Sequence, residues 1–456
     1  MANGNSDITG SEPPALTSSR LPNTGVAESG CWLVKLGDWL FLAWVALIPI
    51  MQPHVYVAGR FWLQAADIVF VPAASIYIAL LLAGKRKLRL LWSSRYAILY
   101  LATLILSACA SEDKRQSFLK LPADAYVIIG AIMATSYISS LEALRKTILA
   151  WIAGTAVTII ATAAGLFAFY ALGLRGLEQN IFLFHSGTLP PGPYPRICAL
   201  FLDANMFCSY AVASAMIVVA AHEAGWITRG TSRALFWGIA LASIPSLSLG
   251  LGGLFLAIGL WHWRARRSNA ARSAFVGRFA ARAGIFAAVG FLLVATISPT
   301  PLRTSSVWET LRHPQPSSRV LTWIGAWRTF LAHPLLGRGL DLPAANVRYL
   351  AASGDLQELQ AAHNTWLGIM AQAGLPGVIA FAAIVLSVTT FGWRSPSSNP
   401  MLAALDLAFL GGVLYPFLTV SFENTRHVWL MIGLVAAAHG IQEAGSGRQS
   451  RGTTIT

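Results

Sequence analysis

Residues 363–391 read HNTWLGIMAQAGLPGVIAFAAIVLSVTTF, an apolar run without one Asp, Glu, Lys or Arg. About 20 consecutive apolar residues in helical form cross the hydrocarbon core of a bilayer, so this run spans with length to spare. Comparable runs lie at 36–52, 66–84, 95–110, 122–139, 146–172, 198–221, 232–247, 249–263, 274–298, 402–420 and 427–442. The two that meet around Ser248–Gly253 read either as two short spans or as one long bent one. The expected fold class is all-α: a polytopic membrane protein with about 12 transmembrane helices.

Composition points the same way. Of 456 residues, 55% are hydrophobic and 11% charged, and the mean hydropathy is +0.58. A soluble domain carries about 25% charged residues because its surface must be wetted; this chain has too few to coat a globule of its size. The formal net charge is +14, yet the basic residues sit in short segments between apolar runs instead of on one soluble face. That pattern encodes membrane topology and argues against nucleic acid as a partner. Membrane lipids and lipid-linked phosphates suit the charge better.

Alternate loops differ in basic content. One set holds Lys85, Arg86, Lys87, Arg89 and Arg95, then Arg145 and Lys146, Arg229 and Arg233, Arg264, Arg266, Arg267 and Arg272, and Arg394. The other set is poorer, and the richer side is expected in the cytoplasm. The chain then divides into a disordered cytoplasmic tail at 1–33, rich in Ser, Gly, Pro and Asn, nine spans over 34–298, a long periplasmic loop at 299–362, three spans over 363–442 and a cytoplasmic tail at 443–456. The four cysteines form no metal-ligand spacing and read as small packing residues.

The long loop carries six arginines, Arg303, Arg312, Arg319, Arg328, Arg338 and Arg348, and no lysine. A guanidinium fork grips two phosphate oxygens at once, which suits a pyrophosphate; solvated loop charge is the plainer alternative for any one of them. Residues 318–331 read as a helix with Arg319, Trp323, Ala326 and Phe330 on one face. The loop is expected to contain short helices. At its re-entry stands His363, whose neutral imidazole can accept a hydroxyl proton near neutral pH; a polar cap on the span is the competing reading. His185, His313, His333 and His427 are also expected outside. Asp67, Asp203 and Asp406 fall near span ends, which weighs against a proton-driven transporter. No phosphate-binding Gly-rich loop, HExxH or GxSxG motif occurs, and no metal or other cofactor is expected.

Three segments together resemble a known family. His363-Asn364-Thr365-Trp366-Leu367 through Ala373-Gly374-Leu375-Pro376-Gly377 is similar to the HNxxL…xxGxxG signature of the O-antigen ligase and O-antigen polymerase superfamily. Arg319 through Ala326, followed by His333-Pro334-Leu335-Leu336-Gly337-Arg338-Gly339, resembles its RxxxWxxA…hPlxGxG loop segment. Arg196 through Asn205 resembles its RxxGxFxdpN segment. The resemblance implies a multi-pass protein of the bacterial inner membrane with its active site facing the periplasm. It implies transfer of a glycan from undecaprenyl pyrophosphate to an acceptor hydroxyl, either a lipid A-core sugar (ligase) or a lipid-linked glycan (polymerase of O-antigen or exopolysaccharide), by a metal-independent inverting glycosyltransferase. His363 then stands as catalytic base, Arg319, Arg196 and Arg338 as pyrophosphate ligands, and Asn364, Asn205 and Trp323 as supporting residues. Two positions depart from the family: Gly250-Leu251-Gly252 replaces a Ser-Arg-Gly, so one expected arginine is missing, and Gln372 replaces a frequent Glu. A lipid or polysaccharide transporter is the alternative from another class.

Overall fold

The computed structural model describes residues 32–57, 61–173, 184–186, 195–264, 318–350, 356–394, 399–418, 420–422 and 425–452. The described chain is mostly helical. In order it forms α1 (Trp32–Leu47), α2 (Ala65–Leu82), α3 (Trp92–Ala110), α4 (Lys114–Tyr137), α5 (Leu141–Tyr170), α6 (Ala204–Glu223), α7 (Arg229–Ser243), α8 (Leu251–Arg264), α9 (Ser318–Ala332), α10 (Thr365–Arg394), α11 (Pro400–Phe409) and α12 (Arg426–Gly452). Three antiparallel hairpins join β1 (Val55–Val57) to β2 (Phe61–Leu63), β3 (Phe184–Ser186) to β4 (Pro195–Ile197), and β5 (Val347–Leu350) to β6 (Leu356–Leu359).

Among the described residues seven helical segments are long and apolar enough to cross a membrane: Ala65–Leu82, Trp92–Ala110, Lys114–Tyr137, Leu141–Tyr170, Ala204–Glu223, Thr365–Thr390 and Pro400–Leu418. Leu251–Trp263 is a shorter apolar helix. The runs at 232–247 and 249–263 resolve as two helices, parted by a short 3-10 turn at Ile244–Ser246 and by Leu247 at φ 50°. The run expected at 274–298 lies outside the described residues, as does the loop from 299 to 317. Of the three described cysteines, Cys198 and Cys208 are buried and Cys109 is exposed.

Local chemistry sets the helix starts. The apolar run begins at 198, but α6 begins at 204 because the Asp203 carboxylate caps it, accepting from Asn205 N at 2.7 Å and Met206 N at 3.4 Å. Ser140 and Asn399 cap α5 and α11 in the same manner, accepting from Ala143 N and Met401 N. Such caps satisfy amide groups that a helix start leaves without partners.

Small residues let the helices close up. Gly253 packs α8 against the π-helical turn Leu410–Leu414: a Cβ on Gly253 would overlap Gly411 O, and one on Gly411 would lie 2.5 Å from Gly253 O. The carboxylates near span ends are closed off by bases. Asp67 takes Arg426 Nη2 at 2.6 and 2.8 Å, and Asp406 lies 2.7 Å from His439 Nε2.

α10 is two helices joined across a break. Gly374 has φ 68° and ψ −163°, a backbone region that is essentially glycine-only. With Pro376 just beyond, the carbonyls of Ala371 and Gln372 lose their intrahelical donors. The loop 333–340 supplies replacements. Arg338 N donates to Ala371 O at 2.9 Å, Gly339 N to Gln372 O at 3.2 Å and Ser107 Oγ to Gln372 O at 2.7 Å. Leu375 N in turn donates to Pro334 O at 2.9 Å. A side chain at Gly337 (φ 71°) would overlap Gln372 and Ala373 backbone, and one at Gly339 (φ 125°) would overlap Ser111. Backbone inside a bilayer must find partners within the protein, and this interlock provides them. It explains why positions 337 and 374 are glycines.

Candidate active site

α9 follows the residues expected of it. Ala326 and Phe330 on its predicted inner face are buried. Ala326 meets Ala344, Ala345, Ala362 and Ala371 in a cluster of small side chains that seats α9 on α10. Gly325 lets the β5 end approach, since a Cβ there would stand 2.9 Å from Val347 Cγ2. Thr322, fully buried, donates to Arg319 O at 2.8 Å or Ala362 O at 3.2 Å. The first turn of α9 is thereby tied to the residue before His363.

His363 is half-buried and has φ 49°. For a residue other than glycine this left-handed conformation costs about 1–2 kcal/mol. It persists because the next two residues are locked. Asn364 Oδ1 accepts from Leu367 N at 3.0 Å, capping α10, and its Nδ2 donates to Leu418 O at 3.3 Å. Thr365 Oγ1 donates to Val420 O at 2.7 Å and accepts from Phe422 N at 3.0 Å. Asn364 and Thr365 serve the backbone, and the imidazole is left with no hydrogen-bond partner among the described residues. Ala199 (φ 51°), beside the Arg196 strand, and Leu247 (φ 50°), beside Ser246, are strained in the same sense. Residues held in such conformations gather at ligand sites more often than elsewhere.

The arginines divide. Arg319 is half-buried, and its Nη1 is buried with no hydrogen-bond partner among the described residues. One helical turn on, Trp323 Nε1 is in the same condition. Two buried donors without acceptors are costly, and an acceptor-rich ligand would relieve that cost. Arg196 belongs to β4, where it stands opposite His185. Its Nε donates to Ser246 O at 3.0 Å and its Nη2 to Asn205 Oδ1 at 3.0 Å, and Ser248 Oγ donates to the same Oδ1 at 2.9 Å. Arg338 sits elsewhere, with its Nε on Glu112 Oε2 at 2.7 Å while His333 Nε2 lies 3.2 Å from Glu112 Oε1. These neighbours hold the Glu112 carboxyl below the usual range, the hydrogen bond from Arg338 contributing most.

Electrostatics join four of the groups. Burial, then the positive charge of Arg319, lowers the His363 pKa, and Asp203 opposes them. Arg319 is lowered by burial and by Arg196 and raised by Asp203. The imidazole is therefore neutral at pH 7, in a field that is positive on balance and rich in donors. Sequence reasoning singled out His363, Arg319 and Arg196 but left Asp203 as a span-end carboxylate. The cap it forms on α6, two residues before Asn205, is the sequence signal that ties it to this site. Of the other histidines expected outside, His427 is buried against Ser209 Oγ at 2.9 Å, His333 is taken by Glu112, and His313 lies outside the described residues.

Comparison with known proteins gives the same direction. A family model described as O-antigen ligase matches residues 230–382, from α7 to the middle of α10. An O-antigen ligase of Pseudomonas aeruginosa is 26% identical over 425 residues, covering 88% of this chain and 91% of that protein. These matches, like the three motif segments, make the chain similar to the O-antigen ligases.

Proposed function

We propose that this protein is a glycosyltransferase of the ligase type, which moves a glycan from undecaprenyl pyrophosphate to a hydroxyl of a lipid A-core sugar at the periplasmic face of the inner membrane. The observation that carries the reading is the pair of buried donors, Arg319 Nη1 and Trp323 Nε1, that have no acceptor among the described residues, beside a neutral His363. The comparisons carry the ligase name and favour that reading over a polymerase. In this proposal about 12 spans cross the membrane, and residues 299–362 form the periplasmic loop.

The donor's pyrophosphate accepts hydrogen bonds from Arg319 and Trp323, with Arg196 adding positive charge. Arg196 reaches Ser246 O, at the turn just ahead of Gly250. That is where the family pattern carries the arginine this chain lacks, so Arg196 takes its part. Arg338, engaged with Glu112, has the weaker case. His363 accepts the proton of the acceptor hydroxyl as its oxygen bonds to the anomeric carbon. The bond from that carbon to the pyrophosphate oxygen breaks, its electron pair stays on the leaving group, and the guanidinium groups stabilise the charge that develops there. A single displacement inverts the anomeric centre.

The test uses purified full-length protein with lipid-linked donor and lipid A-core acceptor. His363→Ala is expected to stay folded, bind donor and transfer nothing. Transfer at the wild-type rate by that variant would remove the proposal.

A further inference from the structure

The end of the bundle away from His363 holds a polar cavity of about 550 Å³. Its position follows from helix direction. Ser107 and Tyr100 of α3 meet Gln372 and Phe381 of α10, so the two helices run antiparallel and the start of α3 lies at the far end from 363. The cavity opens there, between the end of α2, the segment leading into α3, the end of α4 and the start of α5.

Five basic side chains line it: Lys85, Arg86, Lys87, Arg89 and Lys146, against two carboxylates, Asp38 and Glu142. The carboxylates are already used. Asp38 pairs with Arg86, whose guanidinium also lies 5.2 Å from the centre of the Tyr137 ring. Glu142 lies 3.6 Å from Lys146 and 3.5 Å from Arg145. Arg89 Nη1 donates to a neutral carbonyl, Ile138 O, at 3.1 Å. Lys85 and Lys87 are exposed and form no ion pair among the described residues. Three cations thus face the space without an anion. Ser139 and Ser140 line it too, at the amino end of the 30-residue α5, whose dipole adds positive potential. Large apolar side chains flank the lining residues in sequence and stay exposed, Leu82, Leu88, Leu141, Trp32, Trp39 and Trp92 among them. Tryptophan marks the headgroup level of a bilayer.

We propose that this cavity binds the phosphate of an anionic phospholipid headgroup, with the acyl chains along the exposed leucines. A basic pocket between transmembrane helices is the expected receptor for such a headgroup. A zwitterionic lipid brings its own ammonium and gains less from an unbalanced positive site.

Native mass spectrometry of the full-length protein, titrated with phosphatidylglycerol or phosphatidylcholine, tests this. Phosphatidylglycerol is expected to bind in preference. Lys85→Gln with Lys87→Gln should weaken it about 30-fold, whereas Arg229→Gln with Arg233→Gln, two exposed charges at the start of α7, should leave it unchanged. Lys146→Gln, inside α5, should weaken it about fivefold and serves if the double variant fails to insert. Millimolar inorganic phosphate should not displace the lipid. Equal binding of the two lipids, equal losses in both double variants, or displacement by phosphate alone would each overturn the proposal.

Discussion

Replacing Gly374 by alanine puts a Cβ 2.5 Å from Leu335 O, 2.6 Å from Leu335 C and 2.7 Å from Gly337 N. All three are backbone atoms with no rotamer to yield. The residue must also hold φ 68° and ψ −163°, at a cost of about 1–3 kcal/mol for a side chain. If the loop moves to relieve the overlap, the bonds from Arg338 N and Gly339 N to Ala371 O and Gln372 O lengthen, and each buried group left unmet costs about 1–3 kcal/mol. The combined loss is about 3–9 kcal/mol, a large fraction of the stability of a typical fold. Gly368 in the same helix is the control: its nearest Cβ neighbour would be Ser421 Oγ at an ordinary 3.7 Å, and alanine is favoured over glycine within a helix by up to about 1 kcal/mol. Thermal unfolding of the two purified variants in one detergent decides the matter. Gly374→Ala should unfold well below the parent, and Gly368→Ala at or above it. A Gly374→Ala midpoint equal to the parent would refute the interlock.

The His363 pKa is lowered, so an activity that needs the neutral imidazole should keep its acid limb below the ordinary histidine range. Arg319→Gln removes one of the lowering causes, and the residual activity should show that limb moved to higher pH; an unmoved limb separates the two groups. Arg319→Ala should weaken donor binding, with Lys a poor replacement because it lacks the fork, whereas Arg338→Ala should leave transfer near normal and change stability by about 1 kcal/mol or less, as exposed pairs do. Arg426→Ala strands Asp67 and should destabilise by about 3–5 kcal/mol, read as loss of folded protein in detergent, with Asp67→Asn partly restoring it.

Local patterns were legible and distant pairings were not. α9 was readable nearly to its ends because Arg319, Trp323, Ala326 and Phe330 repeat at helical spacing. The apolar runs located most helices, since burial in lipid needs only length and hydropathy. The hairpin β5–β6 escaped notice, although Val347-Arg348-Tyr349-Leu350 and Leu356-Gln357-Glu358-Leu359 flank a Ser353-Gly354 pair; each strand is too short for a periodic signal. Gly374-Leu375-Pro376-Gly377 could be recognised as a motif, but its physical meaning needs the loop around Gly337, which no spacing within α10 reveals. The pairing of Arg338 with Glu112 was not legible, because the two lie 226 positions apart. The pairing of Arg426 with Asp67 was hidden for the same reason.

The interlock at Gly374 also bears on the order in which the chain is made. The loop 333–340 leaves the ribosome before α10 does. The amide groups of Arg338 and Gly339 are therefore already outside when the carbonyls of Ala371 and Gln372 emerge unmatched. A broken helix entering lipid by itself would carry that deficit until a neighbour arrived. Here the neighbour is the segment synthesised just before it, so insertion and repair of the break can form one step of biogenesis, and that step also brings the first turn of α9 beside His363.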